Sequence, residues 1–178
     1  PDHREIGRRL GEQLKTKKQK IGIIADWKMS EAVQAEISGL TEALEGSGSE
    51  ISWCIYRRKE QNITERMKEE TKADALVILD PGVLEEFGEQ AEHGKYKGAE
   101  LYGVGYSLKT VALLDKGNIQ GLVVPDGYEI GYKSVEEMAK KLQHRFYKTK
   151  SVKTTIKMIR RDDLFQDEDI ERFLYSYE

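Results

Sequence analysis

The sequence predicts an α/β protein: a doubly wound, mostly parallel sheet with helices on both faces. Three observations lead there. Four short apolar runs each stop on a polar or acidic residue, over 21–26, 75–80, 101–107 and 121–126. Near-continuous Val/Ile/Leu runs are what strands need when helices cover both faces of a parallel sheet. Segments with apolar residues at helical spacing separate these runs, and strand–helix alternation is the pattern of a parallel sheet. Turn formers such as Gly46-Ser47-Gly48-Ser49 punctuate the units. Sheets of this kind bind ligands in the crevice beyond the carboxyl ends of their strands, so the crests of the runs are where function is sought.

The elements follow in order. Ile6, Leu10 and Leu14 recur at helical spacing behind Asp2, a candidate N-cap, and a basic turn over 15–20 leads into the first strand, 21–26. Ser30 is placed to cap a helix whose apolar face is Val33, Ile37, Leu40 and Leu44. Next come a strand over 51–56, a helix over 63–70, a strand over 75–80, a helix over 83–90 and a strand over 101–106. A short helix over 110–116 precedes a strand over 121–124, and an amphipathic helix then carries Tyr128, Tyr132, Val135, Met138 and Leu142. A last strand over 154–159 is followed by an aromatic tail, Phe165, Phe173, Tyr175 and Tyr177, expected to pack back on the body. The basic stretch 148–157 alternates with Val152, Thr154 and Ile156, the pattern of a solvated edge strand.

Composition narrows the function. At 178 residues and 38% hydrophobic content the chain has room for one compact domain with a real core. Its 29 Lys+Arg nearly balance 32 Asp+Glu, which offers no general attraction to nucleic acid. Cys54 is the single cysteine, so neither an internal disulfide nor a Cys metal cluster can form, and within an apolar strand it reads as a small buried hydrophobe. No nucleophile elbow, phosphate loop or paired-His zinc helix is present, and His3, His93 and His144 lie apart among polar neighbours, as surface histidines do. The run Gly103-Val104-Gly105-Tyr106-Ser107-Leu108 misses the third glycine of a dinucleotide fingerprint. Neither a cofactor nor enzymatic chemistry is expected.

The crest residues are candidates for binding. An Asp at a strand's end can accept from ligand hydroxyls or cap the following helix, and both readings stand for Asp26 and Asp80. Trp27, beside Asp26, is either a stacking platform for a sugar or aromatic ring or ordinary packing at the sheet's mouth.

In this order the segments resemble the carboxy-terminal lobe of type 1 periplasmic sugar-binding proteins and the related ligand-binding core of lactose-repressor-type regulators. The resemblance rests on the opening Pro1 to Leu10, on 20–26 with Ser38-Gly39-Leu40, on 73–80, on Val104-Gly105-Tyr106, on Lys116-Gly117-Asn118-Ile119 and on Glu129-Ile130-Gly131. It implies reversible binding of a small polar ligand between two lobes by hinge closure, without chemistry. The implied divisions are a carboxy-terminal-type lobe over 1–125, a return-crossing helix over 126–150, and a terminal strand and tail over 151–178. It also implies an amino-terminal lobe before Pro1 that is absent from this chain. The chain is accordingly expected to be a fragment or truncated form, or to complete its fold through a second copy as a homodimer, because the helix beginning near Tyr128 otherwise exposes an apolar face.

By position, the resemblance implies ligand contacts at Asp80, Ser107, Glu36 and Asp126, with Asp26 and Trp27 as additions. This sequence departs from the pattern: Glu36 stands where the family has a ligand-gripping Arg, Ser107 where it has Asp, and Pro125 where it has Gln. These losses argue against a standard pentose or hexose, because desolvated sugar hydroxyls need paired partners, and they point to a divergent or degenerate site. The implied setting is extracytoplasmic, periplasmic or lipid-anchored, with a transporter permease or membrane sensor as partner and no nucleic acid. The alternative is the effector-binding domain of a cytoplasmic, dimeric regulator.

Overall fold

The computed structural model describes residues 1–26, 30–57, 62–166 and 170. In chain order the elements are α1 (His3–Leu14), β1 (Lys20–Ala25), α2 (Glu31–Leu44), β2 (Glu50–Tyr56), α3 (Ile63–Glu69), β3 (Ala75–Ile78) and α4 (Pro81–Glu92). They continue with β4 (Glu100–Val104), α5 (Leu108–Asp115), β5 (Gly121–Pro125), α6 (Gly127–Gln143), β6 (Ile156–Ile159) and a 3₁₀ turn, Arg161–Phe165. The strands form one sheet in the order β2-β1-β3-β4-β5-β6. Neighbours are parallel except β6, which runs antiparallel to β5 at the edge. Strands β3 and β4 end at Ile78 and Val104, earlier than their apolar runs, so Leu79-Asp80 and 105–107 are crest loops.

Alternation along each strand builds two cores. Ile21, Ile23, Ala25, Ala75 and Val77 pack beneath α1 and α2, meeting Ile6, Leu10, Leu14, Leu40 and Leu44. Ile24, Leu76, Ile78 and Leu122 point the other way, against Leu84 and Phe87 of α4 and Leu113 and Leu114 of α5. The sheet is thus covered on both faces, which is why its strands read as apolar runs. Helices α1 and α2 touch backbone to backbone at Gly7 and Gly39, where an added Cβ would fall 1.7 Å from the Glu36 carbonyl oxygen and 1.9 Å from that of Arg4.

Helix α6 stands apart, burying no residue. Polar bonds moor one edge: the Thr155 amide donates to Glu129 at 2.7 Å, and the Lys150 amide to Glu137 at 2.9 Å. Its apolar stripe, Tyr128, Tyr132, Val135, Met138 and Leu142, faces outward, more than half exposed at every position.

Other details revise the sequence reading. Cys54 is half-buried rather than buried, and its hydrogen bond with Tyr56, with partial burial, pushes that phenol up to about 12. Leu164 and Ile170 pack on the α4/α5 core, whereas Phe173, Tyr175 and Tyr177 lie outside the described residues, as does Trp27. No described helix is long and apolar enough to cross a membrane.

Candidate functional site

With β1 central and β2 and β3 on either side of it, the strand order reverses between β1 and β3. In open α/β sheets the crevice beyond the carboxyl ends opens at such a switch point. The residues set there by chain geometry are Asp26, directly after β1, and Asp80, two residues after β3. Backbone bonds carry the ladder past the strands, with the Arg57 amide donating to the Ala25 carbonyl and the Leu79 amide to that of Ile24, both at 2.8 Å. Both crest loops are therefore held by the sheet itself.

Arg57, the first residue after β2, reaches across β1 to join the two acids. Its Nη2 lies 3.2 Å from Asp80 Oδ2, and its Nε donates to Asp26 Oδ1 at 3.4 Å. Asp80 serves twice, because its Oδ1 accepts from the Val83 amide at 2.9 Å and so caps α4. Pro81 at the first helical position suits that cap. Asp80 is largely buried, while Asp26 and Arg57 are about half exposed. Asp26 caps nothing, since Ser30 takes that role for α2. The triad holds two negative charges and one positive. Among the described residues Nη1 of Arg57 makes no bond, which leaves a donor beside carboxylate acceptors at the crest. Such a set can grip hydroxyl groups.

The other predicted site residues are placed differently. Ser107 caps α5, accepting from the Thr110 amide at 3.1 Å, and donates to Glu85 at 2.5 Å. Asp126 caps α6 by accepting from the Glu129 amide at 2.8 Å. Pro125 closes β5 and is buried. Glu36 is withdrawn from the crest: 5% exposed between α1 and α2, its carboxylate is bonded by His3 Nδ1 at 2.7 Å. Burial raises its pKa, against the lowering effect of that bond. It offers nothing to a ligand, and His3 is correspondingly half-buried and partnered rather than a free surface histidine.

Sequence reasoning missed Arg57. The signal was a cation directly after an apolar strand whose neighbours in the sheet both end on Asp, but it has meaning only once β2, β1 and β3 are known to lie side by side.

No protein-family model matches the sequence, and no curated protein does. Solved structures match closely in shape. GanP, a glucose-galactose binding protein from Geobacillus stearothermophilus, superimposes with a TM-score of 0.79 at 22% identity, over 93% of this chain and 62% of its own. A carbohydrate transporter solute-binding protein from Agrobacterium radiobacter in complex with D-arabinose gives 0.80 at 20% identity, over 98% of this chain and 64% of its own. The TorS sensor domain–TorT complex in the presence of TMAO gives 0.74 at 17% identity, over 97% of this chain and 60% of that one. The fold is that of the type 1 periplasmic sugar-binding proteins. The chain spans less than two thirds of the length of the proteins it matches.

Proposed function

We propose that the crest at the β1/β3 switch point is one wall of a cleft that binds a small, neutral, polyhydroxyl ligand reversibly and without chemistry. The observation that carries this reading is the Asp26–Arg57–Asp80 triad, a half-exposed guanidinium whose Nη1 makes no bond among the described residues, flanked by carboxylates at the place where such sheets take ligands. Paired carboxylates and a guanidinium satisfy hydroxyls in both directions once water is excluded. In this reading the site is divergent rather than lost, because Arg57 supplies from β2 the guanidinium that Glu36 denies it on α2.

The second wall comes from an amino-terminal lobe. In this reading that lobe also covers the outward-facing α6 stripe of Tyr128, Tyr132, Val135, Met138 and Leu142. The division into a lobe over 1–125, a return helix over 126–150 and a tail over 151–178 belongs to this proposal. So does the setting: an extracytoplasmic, periplasmic or lipid-anchored solute-binding protein that hands its ligand to a transporter permease or a membrane sensor.

The test is a thermal-shift and calorimetric screen of the full-length gene product with D-glucose, D-galactose, D-arabinose, D-ribose and myo-inositol. A ligand at a hundred times its Kd stabilises by about 2.7 kcal/mol, and Arg57→Ala abolishes the response. Silence of the parent protein to every neutral polyol, or a response that survives Arg57→Ala, refutes the reading.

A further inference from the structure

At the opposite pole of the sheet the chain leaves a concavity of about 270 Å³ that no crest residue enters. It lies between the end of α3, the segment entering β3 and the turn entering β4. Its floor is apolar and fixed. Trp53 is 8% exposed, and its indole Nε1 donates to the Thr71 carbonyl at 2.8 Å. Leu76 lies fully buried beneath, and Met67 forms part of the wall.

The turn wall is built at a conformational cost. Tyr96 has φ +57, the left-handed region that non-glycine residues seldom adopt. Its ring is nonetheless locked by stacking on Phe87 at 4.7 Å and by its hydroxyl, which donates to Gln90 at 2.6 Å. Strain held in place by surrounding bonds is a feature of ligand-binding positions. At the rim, Lys72 and Lys97 form no ion pair among the described residues. Two ammonium groups against one carboxylate, Glu70, leave the mouth positive.

We propose that this pocket is a second ligand site, independent of the crest, for a small amphipathic anion: a flat or branched apolar body seated against Trp53 and Met67, with a carboxylate turned out to Lys72 and Lys97. The volume lies just below the usual range of ligand pockets, about 300–1,000 Å³, so it admits a single small molecule and not a partner's helix.

The indole of Trp53 makes the test specific. In ¹H–¹⁵N spectra of the full-length protein, 4-phenylbutyrate shifts the indole resonance of Trp53 saturably and leaves that of Trp27, next to Asp26 in the sequence, unmoved. The uncharged 4-phenylbutanol binds about fivefold more weakly, the size expected of two partly exposed charge contacts. The double substitution Lys72→Glu with Lys97→Glu weakens phenylbutyrate by more than about fivefold, because the rim then repels the carboxylate, while the spectrum stays dispersed, and Arg57→Ala leaves binding unchanged. No saturable shift of Trp53 at millimolar phenylbutyrate, equal affinity for the alcohol, or a response confined to Trp27 each overturns the proposal.

Discussion

Gly7→Ala sets two well-characterised effects against each other at the α1–α2 junction. Alanine in a helix interior is favoured over glycine by about 0.8–1 kcal/mol, which alone predicts a more stable protein. Yet the new Cβ falls 1.7 Å from the Glu36 carbonyl oxygen and 2.9 Å from the Leu40 nitrogen. An ordinary contact is about 3.5 Å, so the helices must part by nearly 2 Å. The clash is with backbone, which cannot rotate aside as a side chain does. Parting the helices lifts Ile6, Leu10 and Leu14, all essentially inaccessible, from Leu40 and Leu44. Overpacking costs about 1–3 kcal/mol and occasionally more, and backbone contact puts this case at the upper end. The net loss is about 2 kcal/mol, or about 4–8 °C in Tm for a chain of this size. Gly131→Ala in the 178-residue chain is the matched control, because nothing lies within 4 Å of its added Cβ. There only the propensity remains, and Tm rises by about 2–4 °C. Circular dichroism melts of both variants decide the matter. A Gly7→Ala protein that melts at or above the parent's temperature refutes the close-approach argument.

Two further outcomes are expected. Because burial raises the pKa of Glu36 against the effect of His3, the folded state holds its proton more tightly than the unfolded one. Its contribution to stability is complete below the unfolded value of about 4.3 and falls as pH rises through the higher folded value. Glu36→Gln keeps an acceptor for His3 and removes the buried charge, so its melting temperature matches the parent's near pH 4 and exceeds it at neutral pH; a difference that does not grow with pH contradicts this. At Asp80 the cap and the charge separate: Asp80→Ala loses the bond to Val83 and about 1 kcal/mol, whereas Asp80→Asn keeps the cap and the melting temperature but loses polyol binding. Equal unfolding curves for the Ala and parent proteins contradict the capping role.

Much of this architecture follows from the order of residues alone, because the signals are local. Apolar runs such as 75–80 mark doubly covered strands, the stripe Val33-Ile37-Leu40-Leu44 marks a helix face, and Asp2, Ser30 and Asp80 cap helices through bonds to amides three residues on. The exposed stripe of α6 is equally local, a periodicity with nothing in the described chain to cover it. The site was only half legible. Asp26 and Asp80 could be named as crest residues, but their joining by Arg57, 31 and 23 positions away in sequence, depends on which strands lie side by side. Glu36 shows the converse, for a residue matched to a binding position by sequence order is turned into a helix junction and bonded to His3, 33 residues earlier. Local periodicity and capping determined the elements and where their ends point. Tertiary structure decided which ends meet, because strand order and the approach of two helices at Gly7 and Gly39 are set by long-range packing that no short window of sequence contains.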